Sequence, residues 1–377
     1  MGRAGQSSIE EDRRIAAAPL TLPLPPVLAD WFARRGWTPR RHQLEMLDAA
    51  RRGEHALLVA QTGAGKTLAG FLPSLVELIA APPGEGLHTL YVSPLKALAV
   101  DIQRNLLGPI GEMGLPIRVE TRTGDTPSDR KHRQRTRPPH MLLTTPESLS
   151  LLLSHADSDR LFADLKHVVI DEVHAFAPTK RGDLLALSLA RLERLAPGCR
   201  RAALSATVAD PDLYRAWLAP TGAAERVRLV RGEPGADPDI EILLPTGRVP
   251  WSGHSGRYAA RQVMEQISKA KLSLIFCNTR SLAELIFQDL WAVNDETLPI
   301  GIHHGSLAVE ARRKVEAAMA EGRLRALVAT ASLDLGVDWG DVDLVIQMGA
   351  PKGSSRLLPR IGRANHRPHG PSRALVA

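Results

Sequence analysis

Two clusters of residues have types and spacings suited to chemistry on phosphates. The first is Val59-Ala60-Gln61-Thr62-Gly63-Ala64-Gly65-Lys66-Thr67, which follows the apolar run Ala56-Leu57-Leu58 and precedes a helix-forming segment from Leu68 to Ile79. Strand, glycine-rich turn, Lys-Thr and helix is the order of a phosphate-binding loop. Glycines let backbone N–H groups close around phosphate oxygens, and the helix N-terminus adds the positive end of its dipole. Thr62, Gly63, Ala64 and Gly65 form that cradle, Lys66 reaches the outer phosphates, and the Thr67 hydroxyl holds Mg2+. Ala60 stands where the general pattern has its first glycine, which is acceptable if φ stays negative there.

The second cluster is Val168-Val169-Ile170-Asp171-Glu172-Val173-His174. A hydrophobic strand here delivers two acids at its carboxyl end, where open α/β sheets bind ligands. Asp171 is suited to hold Mg2+ and Glu172 to orient and deprotonate an attacking water. An acidic strand exit is common by itself; the phosphate loop upstream is what gives it meaning.

Elements that alternate in type must position these clusters. Strands are expected at His55–Ala60, Thr89–Ser93, Ile117–Glu120, Met141–Thr144, Val168–Asp171 and Ala202–Ser205, with helices such as Lys96–Leu107 and Leu184–Leu195 between them. Short aliphatic runs between amphipathic helices make a parallel sheet covered on both faces. After Val227–Val230 comes the turn-rich Gly232-Glu233-Pro234-Gly235-Ala236-Asp237-Pro238, and a second series follows with strands at Leu272–Phe276, Ala326–Ala329 and Leu344–Met348. The expected fold class is therefore α/β, with a flexible tail over 1–26, a first domain over 27–231 and a second over 239–377. The basic run Arg130-Lys131-His132-Arg133-Gln134-Arg135 reads as the solvated face of a short helix.

Composition limits the function classes. The 377 residues allow two ordinary cores, and the low aromatic content, 4%, makes those cores aliphatic. A net charge of +7, with arginine in excess of lysine, suits a polyanionic partner. Two cysteines, Cys199 and Cys277, are too few for a disulfide framework or a zinc cluster and fit a reduced, cytoplasmic chain. No apolar run approaches the ~18 residues of a membrane span, and no signal-peptide core precedes Arg14. His303-His304 lacks partners at ligand spacing, Cys277 reads as a buried strand residue, and Trp31, Phe32 and Trp37 read as core or adenine-flanking groups.

The order of motifs resembles a superfamily 2 DEXH-box helicase from about Trp31 to Arg367. That resemblance implies two RecA-like (P-loop NTPase) domains closing on ATP and Mg2+. Gln43 matches the adenine-reading glutamine; Pro94 and Lys96, Thr123 and Gly124, Thr145 and Pro146 match segments that hold the nucleic-acid backbone. Ser205-Ala206-Thr207 matches the motif coupling hydrolysis to domain movement, through bonds toward Asp171 or His174. In the second half Thr279, Arg280 and Ser306 match further backbone-gripping loops, and Thr330 to Asp338 matches the stretch touching nucleic acid and, through Asp338, nucleotide. Arg363 and, less directly, Arg367 match the arginine fingers; Pro359 replaces a usual Gln and His366 a usual arginine.

Leu333 to Gly340, Gly349 to Gly353 and Gly362 to Arg367 look like the large-helicase-related (Lhr-type) family, and more narrowly its ligase-associated DNA-damage branch. The implied activity is ATP-driven 3′-to-5′ movement on single-stranded DNA or a 3′-tailed duplex in DNA repair. DNA ligase and nuclease partners and a bacterial, nucleoid-associated location are implied with it. An RNA helicase of the same superfamily, or a nucleotide-gated clamp without turnover, are the alternatives. Because the family continues past this point and Ser372–Ala377 reads as a strand just begun, the chain is expected to be the N-terminal part of a longer protein, or a truncated gene product, with poor unwinding by itself.

Overall fold

In the computed structural model, residues 22–61, 63–81, 84, 86–206, 208, 210–233, 237–244, 256–330, 333, 342–350, 357, 360–362, 364 and 372–377 are described. The chain enters through helix α1 (Pro26–Arg34), with proline in its first turn, where a missing N–H costs no hydrogen bond. Helix α2 (Arg41–Arg51) leads to strand β1 (His55–Val59). Then come α3 (Lys66–Ala80), β2 (Thr89–Val92), α4 (Lys96–Glu112), β3 (Val119–Arg122), α5 (Ser128–Thr136) and β4 (Met141–Thr144). Helices α6 (Pro146–Leu153) and α7 (Ser158–Phe162) precede β5 (His167–Ile170), α8 (Lys180–Leu195), β6 (Arg200–Ser205), α9 (Pro211–Leu218) and β7 (Val227–Arg231).

These seven strands form one sheet in the order β3-β4-β2-β5-β6-β1-β7, every pair parallel. Alternate side chains leave opposite faces of a strand, and both faces here are apolar. Leu57, Leu90, Val92, Leu142, Val168 and Ile170 enter one core, while Ala56, Leu58, Tyr91, Met141, Leu143 and Val169 enter the other. Trp31 and Phe32 of α1 pack on Leu47, Leu72 and Val76 in a satellite cluster.

The second sheet is built from β8 (Asp239–Ile242), β9 (Ser273–Cys277), β10 (Ile300–His303), β11 (Ala326–Ala329), β12 (Leu344–Met348) and β13 (Arg373–Val376). Its order is β10-β11-β9-β12-β13-β8, again with every pair parallel. Helices α10 (Ala260–Lys269), α11 (Arg280–Ala292) and α12 (Val309–Ala320) connect its strands. Ile275, Val328 and Ile346 fill one face; Leu274, Phe276, Leu327 and Val345 fill the other. Two mostly aliphatic α/β units, each with a parallel sheet covered on both faces, match the expected fold class.

Some element bounds differ from the sequence reading. Strand β3 lies two residues later than expected, because Val119 pairs with Met141 and Arg118 N–H is held by His140 Nδ1 at 3.1 Å. Helix α4 runs past the expected end at Leu107, through Pro109, to Glu112, whose carboxylate accepts from Trp31 Nε1 at 2.8 Å. Strands β8 and β10 were not expected: β8 is four residues long and exposed throughout, and β10 carries Gly301, so neither gives an aliphatic run. The basic run forms α5 as expected, yet its face is not simply solvated. Arg130, Arg133 and Gln134 all converge on Glu120 of β3. Among the described residues no helix is long and apolar enough to cross a membrane, and no group of three His, Cys, Asp or Glu could hold a metal.

Candidate nucleotide site and nucleic-acid interface

Because all strands of the first sheet run the same way, the residues leaving their carboxyl ends share one edge. β1, β6 and β5 are successive neighbours there, so the loop after Val59, Ser205 and the Asp171-Glu172 pair come together. Gly63 (φ 78°) and Gly65 (φ 76°) take left-handed conformations that favour glycine, and Gly65 caps α3 at its N-terminus. Ala60 is not among the described residues with positive φ. It fits because Gly232 lies against it: a Cβ on Gly232 would fall 2.4 Å from the Ala60 Cβ.

The carbonyls of this loop are held from outside by the segment that opens α2. Arg40 Nη1 donates to Gly63 O at 3.3 Å, His42 Nε2 meets Ala64 O at 2.8 Å, and Gln43 Nε2 donates to Gly65 O at 3.4 Å. With its carbonyls engaged on one side, a glycine loop presents N–H groups to the other, as phosphate binding requires. The Gln43 oxygen accepts from Arg40 N–H at 2.9 Å, so here both ends of the amide expected to read adenine meet backbone. Burial lowers the pKa of His42, which fits a neutral ring donating to Ala64. Lys66 is buried, and its ammonium donates to Gln61 O at 3.2 Å, back across the loop. Thr67 follows it in the first turn of α3.

Asp171 is buried at the exit of β5. Tyr91 of β2 donates a short hydrogen bond to its Oδ2, and Glu172 N–H donates to its Oδ1 at 2.9 Å. Loss of solvent, then the neighbouring Glu172 charge, push the Asp171 pKa up to about 6, while Tyr91 and Lys66 oppose the rise. Glu172 has φ 49°, a left-handed conformation costly for a residue with a side chain. Its Oε2 is buried without a hydrogen bond, 3.4 Å from His174 Nδ1. That ring nitrogen makes its closer contact, 2.9 Å, with Ser205 Oγ, and burial holds the His174 pKa down. The expected link between Ser205 and His174 is thus present in the described geometry; Thr207 lies outside the described residues.

The remaining strands of the first sheet deliver the other candidates to the same edge. Pro94 and Lys96 follow β2, Thr123 and Gly124 follow β3, and Thr145 and Pro146 follow β4. Thr145 caps α6 by accepting from Ser148 N–H at 3.5 Å, while Lys96 Nζ sits 2.7 Å from Asp125 Oδ1. In the second sheet Thr279 and Arg280 follow β9, Ser306 follows β10 and Thr330 follows β11, again all at carboxyl ends. Thr279 caps α11, and Arg280 Nη1 donates to Ser306 Oγ at 2.6 Å. His303 and His304 face Glu316 and Glu284. Cys277 is buried, its thiol pushed up to about 12 by loss of solvent. Trp31 and Phe32 are core residues, whereas Trp37 is half exposed under the Arg35 guanidinium. Thr62, Asp338, Pro359, Arg363 and Arg367 lie outside the described residues.

Sequence reasoning missed Tyr91, Arg40 and His42. Tyr91 could have been found only as a tyrosine inside an aliphatic strand. Arg360 is buried, donates to Gln347 Oε1 at 2.6 Å and lies over the Phe276 ring.

Comparison with known proteins agrees with this geometry. Residues 40–215 match the DEAD/DEAH box helicase family and residues 258–367 match the helicase conserved C-terminal domain. The Lhr helicase/uracil glycosylase of Escherichia coli (strain K12) is 35% identical over 93% of this chain and 27% of its own length. The ATP-dependent helicase Lhr-Core of Methanocaldococcus jannaschii is 36% identical over 92% of this chain and 42% of its own length. Mycobacterium smegmatis helicase Lhr, solved bound to ssDNA and AMP-PNP, superposes with a TM-score of 0.84 at 36% identity, covering 95% of this chain and 48% of that one. The chain therefore spans between about a quarter and a half of the length of these relatives. The chain carries a DEAD/DEAH box helicase domain followed by a helicase conserved C-terminal domain, and along most of its length it is similar to Lhr-type helicases.

Proposed function

We propose that this chain is the motor of an ATP-dependent DNA helicase or translocase that moves on single-stranded DNA. The observation that carries the reading is the meeting of Lys66, Asp171 and Glu172 at one sheet edge, with Ser205 joined to His174 beside them. Lys66 would reach the outer phosphates. Glu172, with one buried oxygen outside any hydrogen bond, would take the proton of the attacking water. Thr67 and Asp171 are oxygen donors that fit a hard divalent cation, and such an ion would neutralise phosphate charge. Arg363 would supply the finger and Asp338 a nucleotide contact from the second unit, with Arg367 beside it in the same motif. The Ser205–His174 bond would report hydrolysis to the domain interface.

Pro94, Lys96, Thr123, Gly124, Thr145 and Pro146 would hold the strand's phosphates on the first unit, and Thr279, Arg280, Ser306 and Thr330 on the second. Phosphate contacts position a strand without reading its bases, so sequence preference would be weak. Movement from 3′ to 5′, a repair role, and ligase and nuclease partners are the finer parts of the proposal. They are supported by the resemblance to the ligase-associated branch and by relatives described as Lhr helicases. Displacement of streptavidin from a biotinylated strand tests the polarity and the strand type. ATP-dependent release from the 5′ end of DNA is expected; release only from the 3′ end, or only from RNA, would overturn the polarity or the substrate.

A further inference from the structure

The turn after β3 carries an acid where a phosphate-holding surface needs cations. Asp125 is largely exposed, yet its carboxylate sits on the Lys96 ammonium at 2.7 Å. The turn holds it there. Thr123 N–H donates to Thr126 Oγ1 at 2.9 Å, Asp125 N–H donates to Thr123 Oγ1 at 3.3 Å, and Lys131 Nζ donates to Gly124 O at 2.9 Å. A Cβ on Gly124 would lie 3.1 Å from Lys96 Nζ, so glycine leaves room for the ammonium. The pair joins the segments that leave β2 and β3, the two strands flanking β4, and both ends of it face solvent.

We propose that Asp125 is an internal competitor for Lys96, its carboxylate occupying the ammonium where a DNA phosphate would bind. The inference rests on the reading that Lys96 meets the strand backbone. Engaging DNA then exchanges one anion for another. The counterion shed by the phosphate is taken up by the released carboxylate, so Lys96 contributes almost nothing to the salt dependence of binding. An exchange of this kind keeps the grip weak and quickly reversible, which suits a motor that must release the strand in each cycle.

The test is the affinity of the chain for a fluorescent oligo(dT) strand over a range of salt, in wild type, Asp125→Asn, Lys96→Ala and the double variant. Asp125 is exposed, so the Asn side chain disturbs little packing. Asp125→Asn should bind about two- to fivefold more tightly, the scale of one exposed ion pair. Its log–log salt slope should steepen by about 0.7, one single-strand phosphate. Lys96→Ala should weaken binding, and in that background Asp125→Asn should have no effect. Weaker binding by Asp125→Asn would mean that the acid orients Lys96, and would overturn the proposal. So would tightening that persists without Lys96, which would mark general repulsion. If Lys96→Ala leaves affinity unchanged in both backgrounds, the interface reading itself fails, and the proposal with it.

Discussion

At the scale of single residues, Glu172 combines a left-handed backbone with a buried oxygen that makes no hydrogen bond. A fold keeps such a residue only when its surroundings determine it, and active sites are where such residues collect. Glu172→Gln should bind nucleotide and single-stranded DNA as wild type does while turnover falls by at least about 10²-fold, the lower end for general-base removal. Stopped-flow phosphate release checks this, and normal turnover would remove Glu172 from the proposed role. His42 is the positioning counterpart. Losing its bond to Ala64 O should loosen the loop, so His42→Ala should raise KM for ATP several-fold and change kcat much less. Lys66, Asp171 and Glu172 were legible because their neighbours in sequence define them. His42 and Tyr91 were not, because the groups they hold lie 22 and 80 residues away.

At the scale of elements, the close approach of Gly232 to Ala60 ties the end of β7 to the start of the phosphate loop, with Gly232 N–H donating to Val59 O at 2.8 Å. Ala60 is tolerated because glycine faces it, so the departure from the general loop pattern is compensated 172 residues later, where no local signal could show it. Gly232→Ala should cost about 1–3 kcal/mol through overpacking, seen as a lower Tm, and should weaken nucleotide binding with it. A substitution that lowers neither would detach β7 from the site. Fully buried aliphatic strands such as β4 and β12 were legible to the residue. β8 was hidden because an exposed edge strand buries no apolar face, and β3 slid because register is set by its partner β4.

Across the whole molecule, the opposite edge of the first sheet carries a partly buried charged cluster centred on the buried His167. Glu77 of α3 meets His88, His167 of β5 and Arg200 of β6, and Arg200 Nη2 lies 2.6 Å from His167 Nε2. Burial, with Arg200 beside it, pushes the His167 pKa down to about 4 from 6.5. The unfolded chain therefore binds the proton more readily between pH 6.5 and about 4. The contribution is fully present above pH 6.5 and is lost as pH falls through that window, on the order of 3 kcal/mol. Glu77 is held low by its histidine and arginine partners, against the opposing pull of burial, and extends the loss to lower pH. Thermal unfolding from pH 7.5 down to about pH 4.5 should show Tm falling, and His167→Gln should flatten the fall. An unchanged profile in that variant would assign the acid sensitivity elsewhere.

Steady-state ATP hydrolysis with and without oligo(dT) shows whether the ATP site of the proposed motor answers to DNA. Slow hydrolysis by the chain alone is expected, with a rise of at least about tenfold with saturating strand and no such rise in Lys66→Ala or Glu172→Gln. Hydrolysis at the same rate with or without DNA, or no hydrolysis in either condition by a folded chain that binds both ligands, would contradict the proposed motor.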